Sequence, residues 1–252
     1  MNDPEKYTYK MVLAYDGTPF GGWQIQPQIT SIQQLVNEAL TTILRQPAYV
    51  VGSGRTDAGV HALAQTAHFH TSKPIPLFKV LGSLNGLLPP QIRIKEIVPV
   101  SNDFHARYSA TKKIYRYHLT LNPLANPFTR LYSWHISAPL DLAALHQAIP
   151  YFVGTHDFCS FANIRDSSKP ETDTTRTIYR LDAITTSDGL ALEFEGNGFL
   201  YKMVRNITGC LIEVGKKKRS ADDIPALLSA RNRTATGSAA PAHGLFLVDV
   251  LY

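Results

Sequence analysis

Strand-like and helix-like patterns alternate along this chain in the order β-α-β-β-α-β, and that order occurs twice. In the first half, period-2 alternation predicts strands over residues 7–15, 48–53, 62–71 and 92–98. Apolar residues at helical spacing predict one helix after the Ser31–Gln34 capping-box pattern and a second over 77–88. This order of elements is the ferredoxin-like (RRM-like) arrangement, in which the helices cross between neighbouring strands.

The second half repeats the order without a clear repeat of the sequence itself. Strands are predicted over 113–121, 176–186, 190–196 and 245–251, and helices over 140–152, 200–214 and 220–229. We therefore predict an α/β (α+β) protein of two tandem ferredoxin-like halves, residues 1–108 and 109–252. Their antiparallel sheets are expected to join edge to edge around a central catalytic cleft. The polar stretch 163–175 is expected to be an exposed, mobile loop.

Composition excludes several classes of protein. Of 252 residues, 44% are hydrophobic and 18% charged, which is ordinary for a folded domain and excludes a disordered chain. No apolar run approaches the roughly 20 residues of a membrane helix, and the first six residues lack the apolar core of a secretory signal. Cys159 and Cys210 have no metal-type spacing. We expect a cytoplasmic protein with free thiols and no membrane partner.

The net charge of +5 is distributed over both halves, but two basic segments stand out. Between Phe104 and Arg130 there are five basic residues, no acidic residue and several interleaved aromatic residues. Cations bind phosphates and aromatic rings stack on bases, so this pattern favours nucleic-acid binding. The cluster Lys216–Arg219 is either a second such contact or solvated charge. The His68–His70 pair is interpreted as two ordinary strand residues rather than a metal site.

The segment 52–62, GSGRTDAGVHA, is the strongest candidate for chemistry. Its glycines allow a tight turn and close approach to a ligand, and Arg55 lies two residues before Asp57. Asp57 is either a catalytic carboxylate beside a cation or the start of an Asx-turn. A phosphate-binding P-loop is disfavoured because no GxxxxGK[ST] pattern is present.

These residues resemble the tRNA pseudouridine synthase A family. GRTDAGVH at 54–61 resembles the family's signature, and four further blocks follow its order along nearly the whole chain. The blocks are DG and GWQ at 16–24, FHARYSAT with YRY at 104–117, NGF with MVRN at 197–206, and GLFL at 244–247. The stretch 163–175 matches no block.

The resemblance implies an isomerase that converts uridine to pseudouridine at positions 38, 39 and 40 of the tRNA anticodon stem-loop, without metal or other cofactor. It implies that Asp57 is the catalytic nucleophile, that Arg205 pairs with it and orients it, and that Tyr115 packs on the target base. It further implies that Leu245 forms an apolar wall under the base. Arg55 is expected to fill the space that the flipped base leaves.

The remaining implied contacts concern the RNA and the assembly. The block Phe104, His105, Ala106, Arg107 and Tyr108 is implied to bind the substrate, with Arg107 on the RNA backbone. A homodimer is implied, with one tRNA reaching across both subunits.

Two other functions remain open from the residues alone. A non-catalytic RNA-binding protein of tandem RRM-like units explains the fold and the basic-aromatic segment, but it does not need Asp57 and no RNP1-like run is found. A nucleoside hydrolase with an aspartate nucleophile explains Asp57 but leaves the basic surface unused. Tyr115 and Tyr117 share one strand face, so one of them is expected to be a core residue only.

Overall fold

The chain forms an α/β structure of two compact units. The computed structural model describes residues 6–163 and 173–252, and within them it has ten β-strands and five α-helices. One unit extends to Thr111 and includes Phe246–Tyr252, and the other is Lys112–Leu245. The mixed α/β class predicted from the sequence is confirmed. Most of the predicted loop 163–175 lies outside the described residues.

The first unit contains every element predicted for the first half. Its strands are ordered β4-β1-β3-β2 with antiparallel neighbours. The elements are β1 (Tyr7–Tyr15), α1 (Ile32–Leu44), β2 (Val51–Gly52), β3 (His61–Thr71), α2 (Leu77–Leu87) and β4 (Ile92–Val100). The strand predicted over 48–53 is much shorter than expected, because only two of its residues pair with β3.

Alternation along β1 explains the core of this unit. Met11 and Leu13 are fully buried, while Lys10, Val12 and Ala14 beside them are partly exposed, as a half-buried strand requires. The helix α1 begins where the Ser31 hydroxyl accepts a hydrogen bond from the Gln34 amide at 3.3 Å. It ends at Arg45, whose left-handed φ of 54° breaks the helix two residues before Pro47.

The second unit has the predicted long elements and two short strands that the sequence did not predict. Its strands are ordered β5-β9-β8-β7 with antiparallel neighbours, and β6 pairs with β5 in parallel. The elements are β5 (Lys112–Thr120), β6 (Trp134–His135), α3 (Leu142–Ala148), β7 (Gly154–Asp157), β8 (Thr175–Thr186), β9 (Gly189–Gly196), α4 (Met203–Gly215) and α5 (Ile224–Ser229). Strands of two and four residues are too short to produce a visible alternation.

The helix α4 is the central helix of the second unit. It is buried on nearly every side, including the polar residues Asn206 and Thr208. Its predicted start at 200 is shifted to Met203, because Lys202 adopts a left-handed φ of 60°. Arg205 therefore lies in the first turn of the helix.

The last strand of the chain is β10 (Leu245–Leu251). Phe246 and Leu247 pair in parallel with His61 and Ala62 of β3, and the strand from Phe246 onwards belongs to the first unit. The sheets are therefore mixed rather than antiparallel throughout. None of the helices in the described part of the chain has the length and hydropathy of a membrane span.

Candidate active site

The loop that carries Asp57 connects β2 to β3, and it is held by a neighbouring segment and by a turn of its own backbone. The Trp23 amide donates a 3.0 Å hydrogen bond to the Thr56 carbonyl, and the Val60 amide donates a 3.1 Å bond to the Asp57 carbonyl. Gly22 has a φ of +94°, and a Cβ at this position would lie 2.6 Å from the Thr56 carbonyl oxygen. Only glycine therefore allows the two segments to approach so closely.

A network of hydrogen bonds among mostly buried polar side chains also holds this loop. The Tyr15 and Thr56 hydroxyls share a 2.7 Å hydrogen bond, and the Gln65 side-chain amide donates to the Gly54 carbonyl at 2.9 Å. Ser53 in turn donates to the Gln65 side-chain oxygen at 2.7 Å. Burial raises the pKa of Tyr15 far above its usual range, so the phenol remains protonated at neutral pH.

This network places the two predicted functional side chains of the loop differently. Thr56 is buried, Asp57 is half-buried and Arg55 is exposed. A half-buried carboxylate on a rigid loop can meet a bound substrate without a large rearrangement.

The two tyrosines on the inner face of β5 have separate roles. Tyr117 is fully buried, and its hydroxyl donates a 2.8 Å hydrogen bond to the Pro241 carbonyl. A Cβ on Gly244 would lie 2.7 Å from its ring, so Tyr117 also fixes the segment before β10. Tyr115 is 8% exposed and meets Phe199 edge-to-face at 5.2 Å. Tyr117 is thus the core residue of the two. The predicted contact with the substrate therefore concerns Tyr115 alone.

Arg205 is held by the same segment. Its Nε donates to the Ala240 carbonyl at 2.8 Å, and the Ala240 amide donates back to the Arg205 carbonyl at 2.9 Å. It is therefore a half-buried, oriented side chain rather than a plain surface residue of the helix. Leu245, five residues after Ala240, is 5% exposed. The structure thus connects Arg205 and Leu245 through one short segment.

A further arginine stabilises this region and was not found from the sequence. Arg233 donates to the Asn206 side-chain oxygen at 2.8 Å, to the Gly237 carbonyl at 2.7 Å and to the Asn163 side-chain oxygen at 3.1 Å. Burial lowers the pKa of Arg233. An isolated arginine in a polar stretch has no local signal that would distinguish such an internal clamp from surface charge.

The predicted site residues divide between the two units. Arg55 and Asp57 belong to the first, with the whole block 104–108, whereas Tyr115, Arg205 and Leu245 belong to the second. The pairing of Asp57 with Arg205 stays a prediction.

Within the block 104–108 only two side chains are exposed. Ala106 is fully buried, Phe104 and His105 are half-buried, and Arg107 and Tyr108 are exposed. The Ala106 amide donates to His68 Nδ1 at 3.1 Å. Ala106 and His105 thus shape the surface, while Arg107 and Tyr108 can contact a ligand.

The basic segments are less positive than the sequence indicates. On β5, Lys112 pairs with Glu195 at 2.8 Å and Arg116 with Glu193 at 2.6 Å. In the cluster Lys216–Arg219, three side chains have internal partners. Lys216 lies over the Trp134 ring, Lys217 pairs with Asp141 at 3.2 Å, and Arg219 pairs with Glu213 at 3.1 Å. The structure therefore favours an internal role for much of this charge.

No group of three or more His, Cys, Asp or Glu side chains that could hold a metal ion is found in residues 6–163 and 173–252. His68 and His70 lie with ring centroids 5.1 Å apart, and His70 has Thr8 as a hydrogen-bond partner at 2.9 Å. Cys159 and Cys210 are free thiols.

The sequence was compared with protein families and with individual proteins. The family model described as tRNA pseudouridine synthase matches residues 11–109 and 148–252. A protein from Protochlamydia amoebophila named tRNA pseudouridine synthase A 1 is 52% identical over 98% of this chain and 96% of its own length. A tRNA pseudouridine synthase A from Bacillus pumilus is 44% identical over 96% and 98%. The protein of that name from Syntrophotalea carbinolica is 41% identical over 96% and 95%.

A solved crystal structure assigned as a chlorite dismutase is similar with a TM-score of 0.23 and 12% sequence identity, covering 88% of this chain and 99% of that chain. A similarity this low carries no argument about fold or function.

Proposed function

This chain belongs to the tRNA pseudouridine synthase family, and we propose that it isomerises uridine to pseudouridine at positions 38, 39 and 40 of the tRNA anticodon stem-loop. It is therefore an enzyme, an isomerase. The observation that carries the proposal is the carboxylate of Asp57 on a glycine loop whose backbone is held by Gly22, Trp23 and Val60.

The reaction needs a carboxylate but no redox partner. The N1–C1′ bond breaks, the base rotates, and a C5–C1′ bond forms, while the proton leaves C5 and N1 gains one. Asp57 starts the sequence by attacking C1′ or C6, or by removing a sugar proton, and all three routes use its ionised form. We assign no cofactor.

The other predicted residues take roles that suit their positions. Tyr115 packs on the target base and relays the C5 proton late in the reaction: its oxygen accepts that proton as its own hydroxyl proton passes to water. Arg205, whose Nε donates to the Ala240 carbonyl, is proposed to pair with the Asp57 carboxylate and orient it. Leu245 forms the apolar wall under the base, and the exposed Arg55 fills the space left by the flipped nucleotide.

Three properties are part of the proposal and rest on the family. The substrate is bound by the block Phe104, His105, Ala106, Arg107 and Tyr108, and the protein works as a homodimer with one tRNA reaching across both subunits. We also place it in the cytoplasm, where tRNA is modified.

One assay separates the proposed reaction from the two alternatives. With tRNA that carries tritium at C5 of uridine, isomerisation releases tritium to water and keeps every base attached to the RNA. A non-catalytic RNA-binding protein releases nothing, and a nucleoside hydrolase liberates free uracil that keeps its label. Release of tritium without free base is expected.

The variant that tests the active site is Asp57→Asn. The amide keeps the shape of the side chain but loses the charge and the nucleophilic oxygen, so single-turnover pseudouridine formation should fall by on the order of 10⁴-fold. Affinity for tRNA, measured by filter binding, should be unchanged or higher, because an anion facing phosphates is removed.

Glu96→Gln is the matched control, since Glu96 is an exposed carboxylate on β4 of the same unit. It should retain the full rate. If the Asp57→Asn enzyme kept more than a tenth of the normal rate, Asp57 could not be the catalytic carboxylate.

A further inference from the structure

We propose that Tyr108 and Arg107 form an exposed stacking platform for one unpaired base of the tRNA. The inference rests on the proposed function, since it takes tRNA as the ligand, and it assigns separate tasks within the block 104–108. Tyr108 stacks on the base, Arg107 binds a neighbouring phosphate, and the other three residues support them from inside.

The platform is a column of three contacting rings, of which the outer two are stacked. The Tyr108 ring lies on the His105 ring with centroids 4.3 Å apart and an interplanar angle of 30°. The His105 ring in turn contacts the His68 ring, with centroids 4.6 Å apart and a tilt of 58° between the planes. Tyr108 is nevertheless 77% exposed, so a large part of its ring is accessible to a ligand. An exposed aromatic ring that is already held by another ring has the form of a base-stacking residue.

Backbone hydrogen bonds hold the column in this geometry without a ligand. His105 Nδ1 accepts from the Arg107 amide at 3.1 Å and from the Tyr108 amide at 3.3 Å. The turn is closed by the Ser109 amide, which donates to the His105 carbonyl at 2.9 Å. Because the platform is preorganised, little conformational entropy is lost when a base binds.

The turn is also tied to the body of the first unit. The Tyr252 hydroxyl donates to the Ala106 carbonyl at 2.7 Å, and the Ala106 amide donates to His68 Nδ1. These bonds on both sides of the fully buried Ala106 fix the backbone between His105 and Arg107.

The charge of the platform favours a nucleotide over an apolar protein partner. The Arg107 guanidinium carbon lies 5.7 Å from the centroid of the Tyr108 ring and is exposed to solvent. A cation in contact with an exposed aromatic ring can bind the phosphate of a nucleotide while the ring contacts its base. Within residues 6–163 and 173–252, Lys112 and Arg116 pair with carboxylates, whereas no carboxylate partner of Arg107 is found there.

The experiment compares two RNA probes with different access to bases. One is an unmodified tRNA transcript with uridine at position 39, and the other is a blunt 20-base-pair RNA duplex without an unpaired base. Tyr108→Ala should weaken tRNA binding by about 5- to 150-fold, the range for loss of one base stacked on an aromatic ring, and leave duplex binding unchanged. Tyr108→Phe should bind both probes like the wild type.

Arg107→Ala should weaken binding to both probes and reduce the slope of log K against log salt by about one unit. Phe78→Ala is the matched control, because Phe78 is an exposed aromatic residue of the same unit with 90% exposure. Phe78→Ala should leave the affinity for both probes unchanged.

Tyr108→Leu keeps an apolar side chain of similar bulk without a π face, and it guards against a folding defect in the alanine variant. It should lose tRNA affinity as Tyr108→Ala does, with thermal unfolding as in the wild type. Full tRNA affinity in the leucine variant, or equal losses on tRNA and duplex in the alanine variant, would overturn the stacking role. Pseudouridine formation by the wild type tests the proposed function separately.

Discussion

At the scale of single residues, His68 shows how tertiary packing changes an unremarkable strand position. The side chain is 3% exposed on β3 and accepts the Ala106 amide bond through Nδ1. Burial lowers the pKa of His68 to about 4, and the neighbouring His105, His70 and Lys6 charges act in the same direction. The folded protein therefore keeps this imidazole neutral, as the hydrogen bond requires.

This shift predicts an acid-side loss of stability. Because the folded pKa of His68 is below the ordinary value of 6.5, the unfolded chain binds more protons between pH 6.5 and about 4. The contribution of His68 is complete above pH 6.5 and falls as the pH decreases through that window. The variant His68→Asn should lose less unfolding free energy between pH 7 and pH 5 than the wild type, as measured by urea denaturation. Its amide oxygen can replace Nδ1 as the acceptor of the Ala106 amide bond.

His146→Asn is the control, since His146 is an exposed histidine of α3. It should lose as much stability between pH 7 and pH 5 as the wild type. A His68→Asn variant with the same loss as the control would show that His68 does not titrate in this window.

At the scale of elements, the loop 54–59 depends on a glycine more than thirty residues earlier in the chain. Gly22 lies against Thr56, and its φ of +94° is a conformation that other residues rarely adopt. By contrast, a Cβ on Gly82 in the middle of α2 would have no heavy atom within 4 Å. Gly22 is therefore needed for the conformation of the loop, whereas the space around Gly82 would accommodate a larger side chain.

These two glycines give a matched pair of variants. Gly22→Ala should lower the free energy of unfolding by at least about 2 kcal/mol, from backbone strain and the 2.6 Å contact, and should reduce pseudouridine formation by displacing the loop. Gly82→Ala should raise stability by about 0.5–1 kcal/mol, because alanine favours the helix, and should leave the rate unchanged. Urea denaturation and single-turnover assays measure both. Equal stability of the two variants would contradict the strained contact at Gly22.

At the scale of the whole molecule, the proposed homodimer is the largest prediction that rests on the family alone. Sedimentation at micromolar concentration should give twice the mass of one chain. If one tRNA reaches across two subunits, a mixture of Asp57→Asn with Arg107→Ala should be more active than either variant, because mixed dimers contain one intact catalytic loop and one intact RNA surface. A monomer with full activity and one bound tRNA per chain would contradict the shared substrate.

Local patterns of the sequence determined the type and the approximate limits of nearly all long elements. Alternation along residues 7–15, helical spacing after Ser31 and the hairpin around Asp188 are short-range signals, and the structure has the expected elements there. The candidate loop 54–59 was likewise visible from its glycines. The division into halves at 108 and 109 stays a prediction beside the compact units of the structure.

Only the tertiary structure decided which of these residues meet. The parallel pairing of β10 with β3 joins positions almost 190 residues apart, and the short strands β6 and β7 exist only because a neighbouring strand supplies their hydrogen bonds. The same holds for the charges, since Arg116 of β5 pairs with Glu193 of the adjacent strand β9 while Arg107 remains exposed. A sequence specifies the chemistry of each side chain, but partners distant along the chain determine its burial, charge and orientation.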